Sequence, residues 1–167
     1  MRGSRKGVGG RGLIVDTNIL LLFLVGSLDL KLIAKHKRVN QFTVEDFHLL
    51  DNLFRQFGAI LTTPNVLTEV TNLAMQIGGD AKERLVTLLA ALLQEGAFEE
   101  HVAESKEASK IKEFRRLGLT DAGIIHLTRK EWTVLTDDLH LYLALQGRGL
   151  EAINFHHLRP RMWKQRR

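Results

Sequence analysis

Residues 13–24 read LIVDTNILLLFL. Leu13, Ile14 and Val15 are consecutive aliphatics, the pattern of a parallel strand buried on both faces. Asp16 ends that strand. Thr17-Asn18 then opens an apolar helix, which is expected to run to about Val25 and to close at Gly26-Ser27. The carboxylate therefore stands at a strand-to-helix joint, on the edge where open α/β sheets place their ligands. An ionised Asp beside aliphatics is costly unless a cation compensates it. A divalent metal meets that need if other acids converge on the same spot.

Outward from this stretch, short strands alternate with helices. Toward the N-terminus, residues 1–12 hold five glycines and read as a disordered basic arm. Leu28 to Asn40 suggests a short helix and a basic loop containing Lys35, Lys37 and Arg38. Thr43 is a good N-cap with Asp46 as its capping-box partner, and Phe47, Leu50, Phe54 and Phe57 mark one helical face. Ala59 to Thr62 reads as a strand, and Thr63-Pro64 as a helix start. Val66, Val70, Leu73 and Ile77 form the stripe of that helix, which Gly78-Gly79 stops. Asp80 is expected to cap a helix reaching Gln94, with Leu85, Leu88, Leu89 and Leu92 inward. Gly96 to Val102 suggests a strand, and Ala103 to Leu117 one charged helix ended by Gly118. Thr120 is expected to cap the next helix, with Asp121 in its first turn. The strand 133–136 (TVLT), a helix from Asp138 to Gln146 and a strand from Glu151 to Phe155 complete the pattern. The alternation predicts one α/β sandwich over residues 13–158 with a mostly parallel sheet, followed by a basic tail, 159–167.

Composition narrows the class. With 44% hydrophobic residues among 167, the chain has enough apolar content for one core. The absence of cysteine excludes a disulfide scaffold and a thiolate zinc site, and fits a reducing cytoplasm. The longest apolar run, Ile19 to Val25, is too short to span a bilayer, so no membrane partner is expected. The net charge of +5 belongs to the ends: Arg2, Arg5, Lys6 and Arg11 on one side, Arg159, Arg161, Lys164, Arg166 and Arg167 on the other. All 19 acids lie between them, against 15 basic residues, a net of −4. An acidic body with basic arms suits a polyanion partner approached by a metal-holding site. The opening Met-Arg-Gly-Ser reads equally as a native arm or an expression leader.

The acids fall at telling places. Asp16 ends the first strand, Glu69 sits in the helix after the second, Asp121 opens a helix, and Asp137-Asp138 follow TVLT. Strand ends and the helix starts after them share one edge of such a sheet, so these carboxylates can meet. Taken singly, Asp121 reads equally as a dipole partner, Glu69 as a solvated residue and Asp137-Asp138 as a capped turn. Together, oxygen-only ligands favour Mg²⁺ or Mn²⁺, which support phosphoryl chemistry.

Four pieces, LIVDTNIL at Asp16, TPNVLTEV at Glu69, LTDAGIIHL at Asp121 and VLTDDLHL at Asp137-Asp138, occur in an order that resembles the PIN-domain nucleases, including the VapC-type toxins. The resemblance implies a PIN-like three-layer α/β/α sandwich. It implies a Mg²⁺- or Mn²⁺-dependent endoribonuclease that leaves a 5′-phosphate and a 3′-hydroxyl. It makes Asp16, Glu69, Asp121 and Asp138 the catalytic, metal-holding acids, with Asp137 as the alternative or assistant to the fourth. Thr17 or Asn18 matches the polar position that orients the first acid or contacts phosphate, and Thr136 is the residue that would hydrogen-bond a metal ligand. RNA is the implied partner, with a homodimer mate and an antitoxin or other protein as further ones. Asp16 and Glu69 stand 53 positions apart, longer than in compact toxins, which leaves Leu28 to Phe57 as a dimer surface, a substrate wall or a partner-binding hairpin.

Other residues carry weaker signals. Trp163 with Arg159, Arg161 and Lys164 is a candidate RNA grip, or a frayed basic end. His140, His156 and His157 read as phosphate contacts or as ordinary surface residues. Glu104 to Arg116 reads first as a solvated helix, with Lys110, Lys112, Arg115 and Arg116 as an alternative RNA path. The rival reading is an RNA- or partner-binding module on the same fold without turnover. A receiver domain wants an acidic pair after the first strand, and a haloacid-dehalogenase-type phosphatase wants Asp-x-Asp. Thr17-Asn18 fits neither.

Overall fold

Gly12–Val15 forms β1, which feeds directly into α1 (Thr17–Leu28). The structure, a computed structural model, describes the backbone of residues 11–163 and the side chains of residues 11–159. A 3₁₀ turn (Leu30–Leu32) and α2 (Val44–Gln56) lead to β2 (Ala59–Thr62). Next come α3 (Pro64–Ala74), a 3₁₀ turn (Met75–Ile77), α4 (Gly79–Gln94) and β3 (Glu99–Glu100). The chain returns through α5 (Ser105–Ala108), α6 (Phe114–Leu117) and α7 (Leu119–Leu127) to β4 (Trp132–Thr136). It finishes with α8 (Leu139–Gly147), β5 (Ala152–Asn154) and α9 (Phe155–Trp163).

Among the described residues, five strands form one sheet, parallel throughout, in the order β3-β2-β1-β4-β5. The architecture is a three-layer α/β/α sandwich. β1 is central: Leu13 lies opposite Ile60 on one side and Thr133 on the other. The chain first steps from β1 through β2 to β3, then crosses back to β4 and β5. Right-handed crossovers put the helices of the first steps on one face and those of the return on the other.

α1 is apolar nearly all round because it is nearly all buried; Ile19, Leu20, Leu21, Leu22, Leu24 and Val25 are covered by the sheet and by α2, α3 and α4. It does not stop at Gly26-Ser27 but runs on to Leu28. Gly26 serves closeness instead of termination, since a Cβ there would overlap the Phe47 ring of α2. Residues 28–57 thus belong to the core, with Ile33, Val39, Phe42, Leu50 and Phe54 buried.

The local starts are as read at two places. Thr43 and Asp46 make the reciprocal capping box of α2, and Thr63 caps α3 ahead of Pro64. Two other caps differ. Gly78, not Asp80, precedes α4, and Gly118, not Thr120, precedes α7. Gly118 has φ +83°, a conformation that side chains rarely adopt, and this lets α6 end and α7 begin at once. The single charged helix expected over 103–117 is two one-turn helices, because Glu113 turns inward between them to pair with Arg148 of the chain after α8, at 2.6 and 3.0 Å. Arg11 and Gly12 are built in: Arg11 pairs with Glu151 at 2.7 Å and Gly12 begins β1. The rest of the basic arm, 1–10, lies outside the described residues. Beyond 158 the chain continues as helix to Trp163. Among the described residues, no helix is long and apolar enough to cross a membrane.

Candidate functional site

The strand order turns back between β1 and β4, the switch point outside which open α/β sheets leave a crevice at their carboxyl ends. A cleft of about 220 Å³ lies there. Five acids line it: Asp16 after β1, Glu69 from α3, Asp121 from the first turn of α7, and Asp137 and Asp138 after β4. Thr17, Asn18, Thr120 and Arg38 line it as well.

Asp16 is buried, and its backbone N–H still pairs with the Leu135 carbonyl, so the end of the strand fixes its position. One carboxylate oxygen accepts from the Ile19 N–H at 3.1 Å, as an N-cap does. The other accepts from the Thr136 hydroxyl and from the Asp137 N–H at 3.2 Å. Glu69 is clamped by two threonines, accepting from Thr120 at 2.6 Å and Thr17 at 2.8 Å. That bond to Glu69 is what Thr120 does instead of capping. Asp137 accepts from the Asn18 amide at 3.1 Å. Asp138 caps α8 through the His140 and Leu141 N–H groups. Asp121 has no hydrogen-bond partner among the described residues.

The crowding has an electrostatic signature. Burial holds the Asp16 carboxyl well above the usual carboxylate range, and Asp137 and, more weakly, Asp121 push it the same way; bonds from Thr136 and Ile19 act against them. Asp121 is pushed up to about 7, first by burial, then by Asp138, Glu69 and Asp137. Asp137 therefore presses on Asp16 and Asp138 on Asp121, and both acids after β4 belong to the cleft.

The five acids share a cleft without forming a closed ligand shell. Among the described residues, no group of three or more His, Asp or Glu side chains is drawn together as a metal-holding cluster. Like charges repel, and four of the five carboxylates are turned to their own local donors. The donor set is all oxygen and suits a hard dication.

Of the remaining predicted residues, Thr17, Asn18 and Thr136 touch the acids themselves. Arg159 faces elsewhere: it pairs with Asp46 at 3.0 Å, donates to the Gln41 carbonyl and covers the Phe42 ring. The Arg161 side chain and Lys164 lie outside the described residues. His156 stacks on Phe42, and His157 meets Tyr142 edge-on. Arg38 is, with Thr120, a lining residue that sequence reasoning did not place at the site. The Arg38 Nε donates to the Asn18 side-chain oxygen Oδ1 at 3.2 Å, and its backbone N–H donates to the buried His36 ring, which is itself tied to the Leu73 backbone carbonyl. Nothing in the spacing of the basic loop marked it out. Compared with protein-family models and with curated proteins, the chain matches none.

Proposed function

We propose that this chain is a PIN-type, metal-dependent endoribonuclease that hydrolyses phosphodiester bonds in RNA. One observation carries the reading: five carboxylates from four separate segments line a single cleft at the switch point of a parallel sheet, and two of them are held above the ordinary carboxylate range. Asp16, Glu69, Asp121 and one of Asp137 and Asp138 are the residues that would hold Mg²⁺ or Mn²⁺. Such an ion supplies charge for the phosphate oxygens and acidifies a water.

The chain's own residues do the positioning. Thr17 and Thr120 fix Glu69, Thr136 fixes Asp16, and Asn18 joins Asp137 to Arg38. Arg38 brings a guanidinium into a cleft of acids, where a planar donor fork can take a phosphate oxygen. The test is incubation of total RNA with the full chain in Mg²⁺, in Mn²⁺ and in EDTA, with the new 5′ ends mapped. Cuts bearing 5′-phosphates, present with either metal and lost in EDTA, are expected. The open spacing of the acids favours a second reading, a binding module without turnover; RNA binding with no cuts in either metal selects it. A toxin role adds growth arrest on expression, rescued by a neighbouring gene product.

A further inference from the structure

A second hollow, of about 480 Å³, lies between α6 and α8 on the return face of the sheet. Lys112, Glu113 and Arg116 form one wall; Leu143, Ala144 and Arg148 belong to the other. Glu113 is buried, and both its oxygens are taken by Arg148, at 3.0 and 2.6 Å. That pair is neutral and locks the two walls together. Lys112, in the turn that leads into α6, and Arg116, within α6, are exposed and have no ion-pair partner among the described residues. The hollow is thus preformed, and its lining (Lys112, Glu113, Arg116 and Arg148) carries a net charge of +2, although residues 13–158 are net negative.

We propose that this hollow holds a backbone phosphate of an RNA strand whose scissile bond lies in the acidic cleft. This rests on the nuclease reading. Arg116 is followed by Leu117 and Gly118, which line the acidic cleft, so α6 is a wall common to both hollows. A strand leaving the cleft along that wall meets Lys112 and Arg116 first. Arginine grips phosphate with two parallel bonds and lysine as a point charge. The exposed Leu143 beside them offers an apolar face to a base or ribose. An acidic protein segment is the less favoured occupant, since one long enough to enter both hollows would set carboxylates against five others. An RNA strand enters with the dication that the proposed reaction needs.

The test is the double variant Lys112→Gln/Arg116→Gln of the full chain. Binding of a labelled 12-nucleotide single-stranded RNA is read by fluorescence anisotropy in Mg²⁺ on an Asp16→Asn background. The double change is expected to raise Kd about tenfold and to lower the slope of log K against log salt by about 1.4, the value for two cations on a single strand. In the otherwise wild-type chain, KM for the 12-mer rises about as much with kcat unchanged. The penalty vanishes on a trinucleotide too short to leave the cleft, and the unfolding temperature stays the same. RNA that is bound and cut with Kd, salt slope and KM all unmoved overturns the subsite alone. Failure of the wild-type chain to bind or cut RNA overturns the nuclease reading and the subsite with it. Loss of poly-glutamate binding in the double variant, with RNA binding intact, gives the hollow to an acidic protein and also overturns the subsite.

Discussion

Asp16 and Asp46 are equally buried, 6% and 4% exposed, and both stand at the start of a helix. Their surroundings differ. Asp46 closes the capping box of α2 with one oxygen and receives Arg159 on the other, at 3.0 Å from 113 residues away. Asp16 caps α1 with one oxygen, and its other partners are a hydroxyl and a backbone N–H. The charges that press on it are Asp137 and Asp121, both negative. Capping accounts for one bond of each aspartate and for the burial of neither. A buried carboxylate is costly without a counter-ion, and this fold supplies one at Asp46. Leaving Asp16 without one, among four more acids, is the kind of local rule-breaking that marks a ligand site.

The sharpest way to break this contrast is to neutralise each aspartate. Asp16→Asn is expected to lower RNA cleavage about 10³-fold, the scale for losing a preorganised charge at a reacting centre. The same change relieves repulsion, so thermal unfolding should shift upward or stay put. A marked loss of stability would make Asp16 a structural cap like any other. Asp46→Asn is expected to do the reverse. It leaves Arg159 beside a neutral amide and should cost about 2–4 kcal/mol in denaturant unfolding, with kcat unchanged while the chain is folded.

A further effect separates carboxylates with a counter-ion from those without one by pH. The Asp121 carboxyl has a native value of about 7 against an ordinary 3.8, so the folded state holds that proton more tightly. Its contribution is complete below about 4 and is lost as pH rises through 7. In EDTA, stability should therefore fall by about 2–4 kcal/mol between pH 4.5 and 7.5, measured by denaturant melts. Asp121→Asn should flatten that slope, and saturating Mn²⁺ should lessen it. Glu113 has the opposite sign: Arg148 holds its carboxyl below the usual range, so its contribution is present above about 4.5 and is lost as pH falls further. Smallest of all, Arg38→Ala is expected to lower kcat/KM about tenfold and to move stability little, since its head group is exposed. An unchanged kcat/KM would remove Arg38 from the site.

Much of this was legible locally. The aliphatic run before Asp16, the Thr43–Asp46 box and the Thr63-Pro64 start each depend on residues within a turn of one another, and each has the form the sequence suggested. The misread places depend on distant partners. Thr120 leaves its helix end because Glu69, 51 positions away, takes its hydroxyl. The charged stretch over 103–117 breaks because Glu113 pairs with Arg148. Arg159 looked like part of a free basic tail and is instead the counter-ion of Asp46. Arg38 looked like one of three loop cations, and only the loop's path over His36 brings it to the acids.

By itself, then, the sequence determined the parallel α/β class and the places where acids follow strands, because burial periodicity and helix caps are written in neighbouring residues. Only the tertiary structure decided which charges are compensated. Pairing of that kind depends on strand order and on which helix ends face one another, and these are set by packing between segments far apart in the chain.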